Sequence, residues 1–264
     1  RDTLFVNRNA ADPRTRQTTL DALDARLNGK KKGRVAIVLH SLAFGSLRPF
    51  VAPTAAPGDA PGDEPDDEPE AALDAAAMTM TLDVMAHSLV YWVQDLLARD
   101  LLTIPGGRVL ALTSAGSEIA WPAYGAVSAA KAALEAHCRQ LALELAPRGV
   151  TVNAISAGIC DTPALRKIPG WRKLLADAEA RNPSGRTTRP DDVASVVGLL
   201  ARPEAAWING SVIRVDGGEG IAGLAGPTEP AETTGSNGSN GSDGSDDGVR
   251  AADVAAPNGQ EDLS

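Results

Sequence analysis

One tyrosine and one lysine have the types and the spacing for proton-transfer chemistry. Tyr124 and Lys131 lie seven residues apart in an Ala- and Leu-rich stretch, residues 124–146, whose pattern predicts a helix. Seven steps of about 100° return to the same face of a helix, so Tyr124 can face Lys131. A free phenol has a pKa of about 10, and a nearby cation favours its action as a proton donor.

The elements that must position these two residues alternate between strands and helices. Continuous apolar or β-branched runs predict buried strands at residues 34–40, 108–113, 150–155 and 211–215. Helices are predicted at residues 17–27, 73–102, 124–146 and 190–201, and residues 4–7 could form a short strand. Such alternation predicts an α/β fold with a parallel sheet between two layers of helices.

Acidic residues are concentrated in two segments outside this pattern. The net charge is −9, but residues 52–72 and 227–264 each carry −7, which leaves +5 for the remainder. Residues 52–72 have a proline at every fourth position, and the last segment repeats Ser-Asn-Gly and Ser-Asp-Gly. We expect a disordered insertion and a disordered tail, attached to a mildly basic domain of residues 1–226 that can accept an anionic ligand.

The composition argues against a disulfide-rich, zinc-binding, secreted or membrane-spanning protein. Cys138 and Cys160 make no disulfide framework, and the three histidines have no cysteine partner at zinc-ligand spacing. The first residues are charged and polar, and residues 109–130 are broken by glycines and a proline, so neither segment predicts a secretory signal or a membrane span. We expect a cytoplasmic protein with no metal, no membrane partner and no nucleic-acid partner.

Four short stretches occur in the order and spacing of the short-chain dehydrogenase/reductases, and the chain resembles that family over residues 4–222. They are Leu112-Thr-Ser114, Lys131-Ala-Ala-Leu134, Val152-Asn-Ala-Ile-Ser-Ala-Gly158 and Val215-Asp-Gly-Gly218. The six residues between Tyr124 and Lys131 are similar to the spacing of the enoyl-acyl-carrier-protein reductase branch. Further stretches are similar to the same branch: Leu39-His-Ser-Leu-Ala-Phe44, Ala154-Ile-Ser-Ala-Gly-Ile-Cys-Asp-Thr162, Trp171-Arg-Lys-Leu-Leu175 and Arg186-Thr-Thr188.

The resemblance implies a Rossmann-type doubly wound domain that transfers a hydride from NADH or NADPH to an enoyl thioester. Negative charge then develops on the thioester oxygen, and a donor aimed at that oxygen stabilises the enolate. Tyr124 is implied as this donor, and Lys131 as the cation that also binds the nicotinamide ribose. Thr162 and the backbone of Ile159 are implied to hold the carboxamide. The complete implied cofactor set is Asn9, Ala10, Ser41, Leu42, Ala43, Lys131, Ala157, Gly158, Ile159 and Thr162.

The same resemblance implies partners. The substrate would be a small acyl thioester or one on an acyl carrier protein, and the chain would form a homo-oligomer, either a tetramer or a dimer. The basic residues of the predicted substrate-side segment form either a rim for an acidic carrier or a solvated helix face: Arg166, Lys167, Arg172 and Lys173. Trp121 and Trp171 either line an acyl pocket or only pack.

Two departures from the family pattern keep alternatives open. Ser114 lies 17 residues before Lys131, where the main branch has a catalytic serine and the enoyl branch usually has an aromatic residue. Ser114 therefore either hydrogen-bonds the substrate carbonyl or merely ends a strand.

The first strand and the Gly-rich turn that seats a pyrophosphate at a helix start are not found in the sequence, so we expect an N-terminally truncated chain in which residues 4–6 are the third strand. A 3-ketoacyl (carbonyl) reductase that uses Ser114, and a non-catalytic member that acts through its assembly surface, are the alternatives.

Overall fold

A four-stranded parallel sheet lies at the centre of the structure, a computed structural model that describes residues 3–28, 33–52, 71–168 and 170–222. The strands lie side by side in chain order: β1 (Ile37–His40), β2 (Arg108–Ser114), β3 (Thr151–Ala157) and β4 (Val212–Val215). Their register places His40 opposite Ala111 and Ser114 opposite Ala157. The carboxyl ends of β1, β2 and β3 therefore meet at one edge of the sheet.

Six α-helices connect and cover the strands within the described ranges. They are α1 (Pro13–Asn28), α2 (Ala75–Leu82), α3 (Ser88–Ala98), α4 (Gly125–Leu145), α5 (Trp171–Arg181) and α6 (Pro190–Leu200). A π-helical turn, Asp83–His87, joins α2 to α3, so the single helix predicted at residues 73–102 runs continuously from Ala75 to Ala98. Short 3-10 turns lie at Ala115–Ser117, Ala146–Arg148, Leu165–Lys167 and Pro203–Ala205.

The core is divided by the sheet into two layers. On one face, apolar residues of α1, α3 and α4 pack on alternate residues of β2 and β3, including Val109 and Val152. On the other face, α6 packs through Val193 and Leu200 on Leu110 and Ile155. Neighbouring residues of a strand point to opposite faces, which is why Val109, Leu110 and Ala111 of β2 are apolar in succession, as are Ala154 and Ile155 of β3. This arrangement confirms the predicted three-layer α/β fold.

The N-terminal side of the sheet differs from the prediction. Residues 3–8 form no strand, because no neighbouring strand in the described part of the chain pairs with their backbone. The strand predicted at residues 34–40 is shortened to β1, with one isolated bridge between Val35 and Leu102. Ile37 and Leu39 are 40% and 46% exposed, so β1 is covered on one face only. The prediction of burial on both faces is wrong for this strand.

A backbone hydrogen bond joins the two flanks of the predicted acidic insertion. The Leu73 amide donates to the Pro49 carbonyl at 2.8 Å, which brings the flanks of the insertion together. Residues 53–70 of the predicted insertion and the whole predicted tail, residues 227–264, lie outside the described residues. Within the described ranges, no helix has the length and apolar character needed to span a membrane.

Candidate active site

The buried ammonium of Lys131 lies at the carboxyl edge of the sheet. Lys131 is the seventh residue of α4 and is only 7% exposed. Its Nζ donates to the Leu112 carbonyl at 2.7 Å and to the Leu42 carbonyl at 3.5 Å. Burial lowers the pKa of Lys131 to about 8, and the nearby Glu135 carboxylate acts in the opposite direction. One cation thus joins the segment after β1, which contains Ser41, Leu42 and Ala43, to the end of β2.

Tyr124 and Ser114 lie together beside the start of α4. Tyr124 is the residue that precedes α4, and its ring meets the Trp121 ring edge-on with centroids 5.4 Å apart. Burial raises the pKa of the Tyr124 phenol, while a hydrogen bond with Ser114 acts to lower it. Gly116 permits this packing, because a Cβ atom added there would lie 2.7 Å from the Tyr124 ring. The structure therefore places Ser114 close enough to Tyr124 to influence the pKa of its phenol.

His40 keeps a neutral ring beside the Lys131 charge. Its Nε2 lies 2.8 Å from the Ser88 hydroxyl, which itself donates to the Val84 carbonyl at 2.8 Å. Ser88 has one hydroxyl proton, so Nε2 is the donor in the contact with His40. Burial, and then the positive charge of Lys131, lower the pKa of His40 to about 4. Lys131 is consequently the only cation of this pair at neutral pH.

The loop after β3 carries the remaining cofactor candidates. The Gly158 amide donates to the Val215 carbonyl at 3.1 Å, and a Cβ atom at Gly158 would lie 2.4 Å from Thr188 Oγ1. The Ile159 amide donates to Glu219 Oε2 at 3.0 Å. The Thr162 hydroxyl oxygen accepts the Leu165 amide at 3.2 Å and so caps the following turn. Ala157 ends β3 opposite Ser114, which places this loop at the same edge of the sheet as Lys131.

Asn9 and Ala10 lie against the helices that precede α4. Asn9 Oδ1 accepts the Ala11 amide at 2.9 Å, and the Ala10 carbonyl accepts Trp92 Nε1 on α3 at 2.9 Å. Asn9 also lines a cavity of about 500 Å³ with residues of α2 and the π-helical turn. Their role at an adenine ring therefore stays a prediction.

Sequence reasoning missed Glu219. This glutamate directly follows Val215-Asp-Gly-Gly218, its side chain is 8% exposed, and it bonds both Ile159 and Arg181. A signal was present, because an acidic residue directly after a tight Gly-Gly turn at the end of a strand stands close to the carboxyl edge of the sheet. In the described part of the chain, no group of three or more potential ligands is arranged to hold a metal ion.

Comparisons with known proteins agree on one family. The family model described as Enoyl-(Acyl carrier protein) reductase matches residues 61–219. The enoyl-acyl-carrier-protein reductase (NADH) FabI of Escherichia coli is 41% identical over 140 residues, 53% of this chain and 52% of that protein. A relative from Rhizobium meliloti, enoyl-acyl-carrier-protein reductase (NADH) 1, is 32% identical over 200 residues, 76% of this chain and 66% of that protein. The chain therefore spans about half the length of the first relative and two thirds of the second.

A solved structure extends the agreement to the fold. The enoyl-acyl-carrier-protein reductase (NADH) from Aquifex aeolicus superposes with a TM-score of 0.67 and 26% identity, over 81% of this chain and 75% of that chain. This likeness confirms the Rossmann-type architecture. With the family model matching more than half of the residues, the chain belongs to the enoyl-(acyl carrier protein) reductase family.

Proposed function

We propose that this chain carries the acid–base and substrate side of a nicotinamide-dependent enoyl-thioester reductase. One observation carries the proposal: the Tyr124–Ser114 pair and the buried Lys131 ammonium meet at the carboxyl edge of the parallel sheet. Ligands of open α/β sheets bind outside the carboxyl ends of the strands. Membership of the family and relatives named for NADH support the reaction class and the cofactor.

The donor set fits the nicotinamide-ribose part of such a cofactor. Lys131 has three N–H donors, two of which go to Leu112 and Leu42, so one is left for a ribose hydroxyl. Thr162 uses its oxygen as a cap and keeps its own O–H for a carboxamide oxygen. For the pyrophosphate, the described residues offer no Gly-rich turn between a strand and a helix start, so we expect weak cofactor binding by this chain.

Tyr124 and its neighbours have separate roles at the reacting thioester. The bound cofactor supplies a hydride to the β-carbon of the enoyl group. Tyr124 Oη donates a hydrogen bond to the thioester oxygen, where negative charge develops, and transfers its proton to that oxygen. The resulting enol tautomerises to the saturated thioester, and the phenol regains a proton from solvent. Burial raises the pKa of this phenol, so that it keeps its proton and can donate. The Trp121 ring packs edge-on against the Tyr124 ring.

Ser114 supports a second candidate function, a 3-ketoacyl (carbonyl) reductase. Its position beside Tyr124 offers a substrate carbonyl a second hydroxyl donor. The same serine also accepts the Gly116 amide at 3.3 Å, which stabilises the turn after β2. Enoyl reduction needs only Tyr124 as a donor, so the two functions differ in their dependence on Ser114.

From the charges around α5, we infer that an acidic acyl carrier protein carries the acyl substrate. Arg166 is paired with Asp161, and Lys173 with Asp177, which leaves Lys167 and Arg172 as the stronger candidates for a basic rim. Arg172 lies over the Trp171 ring, 4.6 Å from its centroid. A cytoplasmic location and assembly into a dimer or tetramer complete the proposal.

A substrate comparison tests the proposal. The chain is supplied with NADH or NADPH and either a crotonyl or an acetoacetyl thioester, and oxidation of the reduced nicotinamide is followed. We expect crotonyl reduction that survives Ser114→Ala with a small loss. Reduction of acetoacetyl thioester that Ser114→Ala abolishes would establish the carbonyl-reductase alternative instead.

A further inference from the structure

Glu219 is a buried carboxylate whose two oxygens contact two different segments. Oε2 accepts the Ile159 amide at 3.0 Å, and Oε1 accepts Arg181 Nη2 at 2.9 Å. The side chain of Glu219 is 8% exposed and that of Arg181 is 31% exposed. Arg181 is the last residue of α5, so Glu219 ties both the loop after β3 and the end of α5 to the turn after β4.

This contact uses a hydrogen-bond donor of the proposed site. A backbone N–H makes one well-aligned hydrogen bond, and a charged acceptor makes a stronger one than a neutral amide oxygen. While the carboxylate holds the Ile159 amide, a carboxamide oxygen can use that donor only by displacing it. Arg181 keeps the carboxylate in place by pairing with its second oxygen.

The loop has little freedom to turn the Ile159 amide elsewhere. Gly158 is bonded to Val215, and its missing Cβ would lie 2.4 Å from Thr188 and 2.9 Å from Glu219 Oε2. Asn182, the residue after α5, donates from Nδ2 to the Asp216 carbonyl at 2.8 Å and fixes the turn from its other side. The carboxylate is therefore held at the amide by contacts from both segments.

We propose that Glu219 restrains nicotinamide binding by occupying the Ile159 amide. The inference rests on the proposed function, because it takes the carboxamide of a nicotinamide as the competing group. Replacement of Glu219 by a residue without an acceptor opens the amide to the ligand and strengthens binding. A purely structural role has the opposite consequence, because loss of the loop anchor then weakens binding.

The direction in which nicotinamide affinity changes when Glu219 is replaced distinguishes restraint of binding from a purely structural role. Binding of reduced nicotinamide mononucleotide and of NADH is measured by ligand-observed NMR and by fluorescence for the parent chain, Glu219→Gln and Glu219→Ala. The mononucleotide carries the carboxamide and ribose without the pyrophosphate bridge. We expect Glu219→Ala to bind roughly five- to tenfold more tightly than the parent, the scale of one hydrogen bond. Glu219→Gln keeps a weaker, neutral acceptor and is expected to fall between them.

A matched control is Asp177→Ala, which removes an exposed carboxylate from a pair with Lys173 on α5 and is expected to bind like the parent. Cooperative thermal unfolding of each variant shows that it is folded. If the parent binds and reduces crotonyl thioester while the Glu219 variants bind equally or more weakly, the inference fails and the proposed function stands. If the folded parent and every folded variant bind neither ligand, the proposed function fails and the inference fails with it.

Discussion

The buried charge of Lys131 predicts a stability that rises with pH in an interval where most proteins lose stability. The pKa of this lysine falls from 10.5 in an unfolded chain to about 8 in the folded protein, chiefly because α4 holds the ammonium out of water. Between these two values the unfolded chain binds a proton that the folded protein has released. The free energy of unfolding therefore increases as the pH rises from about 8 to 10.5.

The size of this effect follows from the shift. Each unit of pKa difference corresponds to about 1.4 kcal/mol, so the lysine contributes a gain of about 3 kcal/mol across the interval. Below pH 8 both states are protonated, and the full cost of burying the charge is present. Lys131→Met removes the titrating group while keeping a side chain of similar length, so the gain is absent from this variant.

Urea unfolding of the parent and of Lys131→Met, followed by tryptophan fluorescence across this interval, measures the difference directly. Other titrating groups contribute equally to both proteins and cancel in the difference. Lys173→Met serves as the control, because the Lys173 side chain is 82% exposed. If the difference in the free energy of unfolding between the parent and Lys131→Met stays constant from about pH 8 to 10.5, Lys131 does not carry a buried ammonium.

Three other predictions concern folding. Deletion of residues 52–72 and 227–264 should shift Tm by less than about 3 °C, because the flanks of the insertion are already hydrogen-bonded; a loss of cooperative melting would show that these segments are structural. The pKa of His40 is about 4 in the folded protein and 6.5 in the unfolded chain, so the free energy of unfolding should fall by about 3 kcal/mol as the pH decreases from 6.5 to about 4. Urea titrations of His40→Gln should show no such decrease. Gly158→Ala should cost about 1–3 kcal/mol by the same method, with partial recovery on adding Thr188→Ala; a neutral Gly158→Ala would contradict the close approach.

Alternation of strands and helices was enough to predict the sheet, its parallel direction and both layers. The strands β2 and β3 were predicted within one or two residues because their apolar residues face the core on both sides. The same reasoning failed for β1, whose apolar run is typical of a strand covered on both faces. Coverage of a strand depends on what packs against it, and a local pattern cannot supply that information.

The candidate site was predictable to the extent that it depends on spacing along one helix. Tyr124 and Lys131 are seven positions apart, and helix geometry places residues at that separation on the same face. The contacts of Glu219 with Ile159 and Arg181 could not be predicted, because they join segments 60 and 38 residues apart in sequence. Such pairs depend on side-chain direction in the folded protein. The Gly-Gly turn indicates that Glu219 lies near the carboxyl edge of the sheet, but not which groups its carboxylate contacts.

The central claim is that Tyr124 is the proton donor of an enoyl-thioester reductase, and the chain provides its own control. Tyr91 is the other tyrosine of the sequence, and its hydroxyl donates to Asp83 at 3.0 Å on the α2–α3 segment. Turnover of a crotonyl thioester is measured for the parent, Tyr124→Phe and Tyr91→Phe at saturating reduced nicotinamide. We predict a loss of roughly 10²–10⁴-fold for Tyr124→Phe, with unchanged nicotinamide affinity, and little change for Tyr91→Phe. Equal turnover by Tyr124→Phe and the parent would contradict the claim.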